Sequence, residues 1–502
     1  MPNEKSKTEK IEDIAKRRGF FWQSSEIYGG LSGFYDYGHL GALLKKKFES
    51  LWRDFFLSLD DNYYEIEPCN IMPENVFVAS GHLASFVDPL VKCKKCGFSE
   101  RADQIIEQEL QENFEGKTNE ELAEIIKKHK IRCPKCRGEL SEVGTLNMMF
   151  PLEIGQSGKA YLRPETAQGV YVNFRREFEQ LRKRMPLGLA IIGKAYRNEI
   201  SPRNLLIRMR EFTQAELQIF FDPDMIETHE KFDEVADYPL RLYSLADRKT
   251  GRVDEISCRE AVKRGMPQFY VYHLAKIQQF YLDVLKLPRE LFRFRELSEE
   301  ERAFYNRIHW DIELQLESLG GWKEVGGLHY RGDHDLSGHQ RVSKQDMYII
   351  MDGKKFVPHV LELSFGVDRN VYALLDIGYA EEKERTIFQL PRAVSPYDAG
   401  IFPLMSKDGM PDKARELQQS LKEHFTIFYD DSGSIGRRYR RMDEIGVSLS
   451  ITVDHQTLDD STVTVRERDS MKQIRIRIHD LVKIIKEFQA GAEFEQLGKV
   501  VK

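Results

Sequence analysis

Residues 193–221, GKAYRNEISPRNLLIRMREFTQAELQIFF, place four arginines and three glutamates between two apolar runs. A strand with one face on a core tolerates charge on its solvent face, and that arrangement predicts scattered charge. Here Arg197 and Glu199 lie two apart, on one face of an extended segment. SPRN then interrupts with turn residues, and Arg208, Arg210, Phe212, Gln214 and Glu216 follow at the same spacing. The pattern predicts a β-hairpin with a long loop. Its charged face combines guanidinium, carboxylate and an aromatic ring, which suits a ligand carrying phosphate, an amine and a flat base. ATP is such a ligand.

At 502 residues, 41% of them hydrophobic, the chain is long enough for two or three domains with sizeable cores. No run of about 18 apolar residues is present, and the N-terminal twenty residues lack the apolar core of a secretory signal, so a cytosolic protein without membrane attachment is expected. With a net charge of −6, any nucleic acid must be met by local patches such as Arg437, Arg438, Arg440 and Arg441 in GRRYRR. A solvated charged face explains that run equally well.

Four of the six cysteines form two pairs, Cys93 and Cys96 in CKKC and Cys133 and Cys136 in CPKC. Each CxxC can make one knuckle of a tetrahedral thiolate site, and zinc is the usual occupant in a reducing compartment. A helix over 119–130 fills the separation between them. Cys69 and Cys258 read as ordinary buried thiols.

Residues 39–59 carry apolar side chains at helical spacing, from Leu40 to Phe56, and predict a long amphipathic helix. It leads into a strand broken by Pro68, which belongs at a sheet edge. Residues 90–145 read as an insertion containing the cysteines. Residues 222–320 read as a second insertion, mostly helical. From about 390 the pattern changes to a separate α/β domain that closes with one helix over MKQIRIRIHDLVKIIKEF. Three further stretches carry charge on separate elements: YLRPETAQGV with Arg163 and Glu165, GWKEVGGLHYRGDHDLSGH with Glu324 and Arg331, and VLELSFGVDRN with Glu362, Ser364, Gly366 and Arg369.

YRNE, a loop, and MREF resemble motif 2 of the class II aminoacyl-tRNA synthetases. GVDR entering a helix resembles motif 3, and the helix and strand around Pro68 resemble motif 1. RPETAQG, MREFTQAE, ELSFG and DDSGSIGRRYRRMDEIG are similar to the dimeric glycyl-tRNA synthetases over nearly the whole chain. Leu363 replaces a usual proline, and HYRGDHDL departs from a pattern nearer ADRxDYDL. The RGD at 331–333 has meaning as an adhesion motif only outside the cell.

The resemblance implies an α+β fold: an antiparallel-sheet class II catalytic domain over 1–389 with both insertions, and an anticodon-binding domain over 390–502. It implies a homodimer acting on glycine, ATP and tRNA(Gly), with Mg²⁺ and a structural Zn²⁺. Arg197 and Arg369 are implied as catalytic, Arg197 at the α-phosphate, with Arg208 and Arg369 on the outer phosphates and Phe212 and Arg369 sandwiching adenine. Asn198, Glu199, Ile207, Met209, Arg210, Glu211, Glu324, Val325, Gly366, Val367 and Asp368 complete the implied ATP site. Arg101, Glu165, Phe212, Gln214, Glu216, Arg331, Glu362 and Ser364 are the implied glycine site, and Glu324 and Glu362 the candidate Mg²⁺ ligands. The alternative is a synthetase-like tRNA- or partner-binding protein that activates no amino acid.

Overall fold

In the computed structural model, which describes residues 5–501 apart from 113, 115, 156, 157 and 304, the chain is organised by two sheets. The larger has nine strands: β1 (Tyr63–Glu65), β2 (Leu187–Tyr196), β3 (Glu211–Phe221), β4 (Pro239–Tyr243), β5 (Asp254–Ser257), β6 (Phe292–Glu296), β7 (Ile308–Leu316), β8 (Gly321–Gly332) and β9 (His359–Gly366). Their order is β5-β4-β6-β7-β8-β9-β3-β2-β1, antiparallel except where β1 meets β2 and β4 meets β6. The expected hairpin is β2–β3, paired from Leu187–Phe220 to Tyr196–Glu211. Strand β2 stops at Tyr196, so Arg197 and Glu199 lie on the loop rather than on the strand.

The alternation of β3 and β9 sorts their side chains onto two faces. Ala215, Leu217, Ile219, Leu361, Leu363 and Phe365 enter the main core, while Gln214, Glu216, Gln218, Glu362 and Ser364 point the other way. Leu363 faces Leu217 and Leu328 across the ladder and is fully buried, which accounts for an apolar residue there. Helix α1 (His39–Phe56) covers the apolar face. Its residues Leu40, Leu44, Phe48, Trp52 and Phe56 recur every fourth position, forming one stripe. Trp52 and Phe56 pack against Phe365 with ring centroids 5.9 and 5.0 Å apart.

The stretch 222–320 departs from the expected helical insertion. It supplies four strands of the sheet, β4 to β7, besides the buried helix Gln268–Gln279. By contrast, the cysteine stretch forms its own small unit. Strands Val87–Lys92, Ser99–Arg101 and Gly144–Asn147 and helices Ala102–Leu110 and Asn119–Lys128 enclose Val91, Ile105, Ile106 and Leu122. Thr118 and Glu121 cap the second helix reciprocally.

The second sheet contains β10 (Ala399–Pro403), β11 (Ile427–Tyr429), β12 (Leu449–Val453), β13 (Thr462–Glu467), β14 (Gln473–Arg477) and β15 (Lys499–Val501), in the order β11-β10-β12-β13-β14-β15. The expected single closing helix is instead strand β14 followed by a helix over Leu481–Gln489. In GRRYRR, Arg438 is buried and donates to the carbonyls of Pro403 and Gly433, so the run is not one continuous exposed patch. Cys258 is buried as expected, whereas Cys69 is exposed.

Two regions join the sheets. Phe402, Met442 and Ile445 extend the main core into the second unit. Beside them Arg385, on the strand Arg385–Phe388, donates to Asp443, which also receives a bidentate pair from Arg466 at 2.8 and 3.0 Å. Arg17 and Arg18 pair with Glu444 at the rim.

Candidate active site

A cavity of about 360 Å³ opens on the polar face of the larger sheet. Its floor is set by strand register, which places Glu216 opposite Ser364 and Gln218 opposite Glu362. The Ser364 hydroxyl and the Gln214 amide donate to one Glu216 oxygen at 2.8 and 2.9 Å, and the Thr166 hydroxyl donates to the other at 2.5 Å. Burial, with the Glu362 and Glu165 charges behind it, pushes Glu216 up to about 7.

Arg331 lies at the centre of this floor, fully buried, and bonds Glu362 and Asp335 at 2.8 Å and Glu165 at 3.3 Å. Its guanidinium stacks on Tyr305, 4.4 Å from the ring centroid. Burial acts to raise Glu165 and Glu362. The Arg331 charge together with His82 and Gln168 at Glu165, and with His329 at Glu362, outweighs it, so Glu165 stays well below the usual range and Glu362 falls to about 2. The floor therefore carries two firm carboxylates and a third that titrates near neutrality.

The opposite wall is cationic. Arg197, just beyond β2, donates to the Pro164 carbonyl at 3.1 Å, and its guanidinium lies over Phe86 and Phe212 at 5.4 and 5.3 Å. Arg208 pairs with Glu199 at 2.6 Å. Arg369 enters from the first turn of the helix Val367–Gly378, donating to the Ile207 carbonyl at 3.0 Å and to Glu324 at 2.6 Å. Burial opposes ionisation of Glu324, but Arg369 leads the charges that hold it below its ordinary value. Behind them Asp368 accepts from Lys45 at 2.9 Å and from the Thr213 amide.

Sixteen of the expected site residues line this one cavity. They are Glu165, Gln214, Glu216, Arg331, Glu362 and Ser364 on the floor; Arg197, Glu199, Arg208, Phe212, Glu324 and Arg369 on the wall; and Ile207, Met209, Gly366 and Asp368 between. Six others lie outside it. Arg101 pairs with Asp88 and Asp103 on the cysteine unit, Arg210 turns back to the Glu199 and Ser32 carbonyls, and Glu211 pairs with Lys194. The Asn198 amide bonds the Met148 carbonyl, and Val325 and Val367 are core residues. Of the two carboxylates expected at Mg²⁺, Glu362 is directed instead to Arg331, Gln218 and His329.

Sequence reasoning missed the wall built by β7 and the segment before it, with Tyr305, His309 and Asp311, and also His329 on β8. The signal was present in IHWDIEL, where His309, Asp311 and Glu313 are spaced by two like a strand. Gly193 is a further structural requirement. A Cβ there would meet the buried Arg163 guanidinium at 2.4 Å, and Arg163 anchors the segment carrying Glu165 to the Lys194 carbonyl.

The four cysteine sulfurs lie within 4.8 Å of one another, with Cys93 and Cys136 at 3.4 Å and Cys96 and Cys133 at 3.7 Å. Tetrahedral zinc with Zn–S bonds of about 2.3 Å separates its sulfurs by about 3.8 Å, so the donor set fits that ion.

Residues 150–378 match the tRNA synthetase class II core domain (G, H, P, S and T), and residues 398–488 match the anticodon binding domain. The chain is 41% identical to the glycine–tRNA ligase of Pyrococcus furiosus over 97% of its own length and 99% of that protein's. It is 40% identical to that of Methanocaldococcus jannaschii over 96% and 99%. A prolyl-tRNA synthetase from Cryptosporidium parvum, solved with L-proline and AMP, shares the fold at a TM-score of 0.55 and 14% identity, covering 96% of this chain and 75% of that one. A core domain and an anticodon domain in this order, together with such identity along almost the full length of both chains, mean that the chain belongs to the glycine–tRNA ligase family of class II aminoacyl-tRNA synthetases.

Proposed function

We propose that this protein activates glycine with ATP and transfers it to the 3′ end of tRNA(Gly). The observation that carries the reading is the single cavity with acids and amides on its floor and arginines on its wall. An ammonium suits Glu165, Glu216 and Ser364, while anions suit Arg197, Arg208 and Arg369. The glycine carboxylate must attack the α-phosphate in line, and two anions repel unless cations neutralise them. Arg197 meets both groups. The carboxylate–phosphorus bond forms as the bond to pyrophosphate breaks, and Arg208 and Arg369 receive the departing charge. A terminal ribose hydroxyl of tRNA then attacks the carbonyl and AMP leaves. No side-chain nucleophile is required.

Adenine stacks on Phe212 and the Arg369 guanidinium in this reading. Glu324 would hold Mg²⁺, which supplies charge neutralisation on the phosphates. Cys93, Cys96, Cys133 and Cys136 would hold a structural Zn²⁺. The domain boundary lies near 390, with tRNA read by the C-terminal unit. Homodimerisation through the edge around β1, where Tyr64 and Ile71 are exposed, and a cytosolic location complete the proposal. Among the described residues no helix is long and apolar enough to cross a membrane.

Exchange of labelled pyrophosphate into ATP tests the reading. It should depend on glycine and fall about a hundred- to a thousandfold in Arg197→Ala, since the attack would lose its charge neutralisation, at the scale of a transition-state donor. Exchange driven by another amino acid, or near-normal exchange in the variant, refutes it. The non-activating alternative predicts no exchange with any amino acid.

A further inference from the structure

One row of side chains runs on neighbouring strands from the β7 wall of the cavity onto its floor. His309 on β7 faces His329 on β8, and His329 faces Glu362 on β9. The two imidazoles meet edge to face with centroids 4.1 Å apart. His329 Nδ1 donates to one Glu362 oxygen, while Arg331 Nη1 and Gln218 Nε2 donate to the other, each at 2.8 Å. His309 Nε2 lies 3.1 Å from Asp311. Gly327 gives this row its room: a Cβ there would stand 2.4 Å from His329 Nε2 and 3.3 Å from His309 Nε2.

We propose that His329 is a positioning residue for glycine, fixing the second oxygen of Glu362 so that this carboxylate keeps one orientation on the pocket floor. The inference rests on the glycine-activating reading above. Three carboxylates, Glu165, Glu216 and Glu362, converge beside Arg331, and they repel unless each is held by its own donors. Glu216 has Ser364, Gln214 and Thr166. Glu165 has Gln168 and Arg331. Glu362 has Arg331 and Gln218 on one side and His329 alone on the other. Burial and the Arg331 charge oppose a cation at His329, but Glu362, with Asp311 behind it, raises its pKa. Burial and the charge of its neighbour push His309 down instead, so the two imidazoles are shifted in opposite directions. In the glycine-activating reading the substrate carboxylate and ATP lie toward Arg197, so the effect of His329 belongs to the ammonium end.

The test measures KM for glycine, KM for ATP and kcat in pyrophosphate exchange for the wild type, His329→Ala and His329→Asn. A buried hydrogen bond to a charged group predicts a glycine KM raised about ten- to a hundredfold in His329→Ala, with KM for ATP and kcat within about threefold. His329→Asn can place an amide donor where Nδ1 stood and should recover most of the loss. A glycine KM within twofold of wild type in His329→Ala overturns the inference. So does an equal loss in all three constants, or an asparagine variant no better than alanine. A wild type that exchanges with a different amino acid overturns the reading of function instead, so the two failures are distinguishable.

Discussion

Glu216 is the one acid of the cavity floor whose charge changes near neutral pH, and the sign of its effect follows from its surroundings. Its pKa stands at about 7 because burial and two fixed carboxylates disfavour its ionised form. The unfolded chain releases that proton near the ordinary carboxylate value, so folding stability falls as pH rises from about 4.5 to about 7 and the loss then persists. Ammonium binding prefers the ionised form and gains over the same interval. The KM for glycine is therefore expected to fall as pH rises toward 7 and to level above it, with the slope absent in Glu216→Gln. Steady-state exchange across pH 5.5–8.5 measures this, and a flat wild-type profile contradicts the assignment. Glu216 was legible in the sequence because it alternates with Gln214 and Phe212. Its partner Thr166 was not, since that contact joins residues fifty positions apart.

Among the elements, the β2–β3 hairpin and α1 were readable because each repeats its pattern over many residues, every second in β3 and every fourth in α1. Strand β6 was not, being a short run rich in charge inside a stretch with a helix at its centre, and β7 was passed over although it alternates over nine residues, because its alternating positions carry charge. FRFRE pairs Arg293 with Glu313 and Arg295 with Asp311 across the ladder, and such charge on a strand obscures its apolar alternation. Strand β14 was lost for a different reason: QIRIR runs directly into an amphipathic helix, and the two periods overlap in one window. The cysteine unit shows what spacing alone can give, since the four residues converge as read, although nothing in CxxC reveals that Arg101 binds Asp88 beside Arg208. Protein purified without chelator is expected to contain one zinc per chain by elemental analysis. Less than a tenth of an equivalent in folded protein rejects that. Cys133→Ser should lower the melting temperature of the cysteine unit and leave the core sheet folded.

For the whole molecule, the junction between the sheets holds the catalytic core and the anticodon-binding domain together. Asp443 is fully buried and takes both Arg385 and Arg466; Asp443→Ala leaves the buried Arg466 without its carboxylate, while Arg385 keeps its pair with Glu382, and is expected to cost about 3–5 kcal/mol. Chemical denaturation measures it, and a loss under 1 kcal/mol would show that the contact is not structural. The Arg17 and Arg18 pairs with Glu444 lie nearer solvent and should weaken as salt is raised, while the buried triad persists.

That contrast makes the molecule a caliper with a riveted joint. Because that joint is buried, the span between its two jaws is expected to hold as salt is raised, and an RNA gripped at both ends would have to fit it.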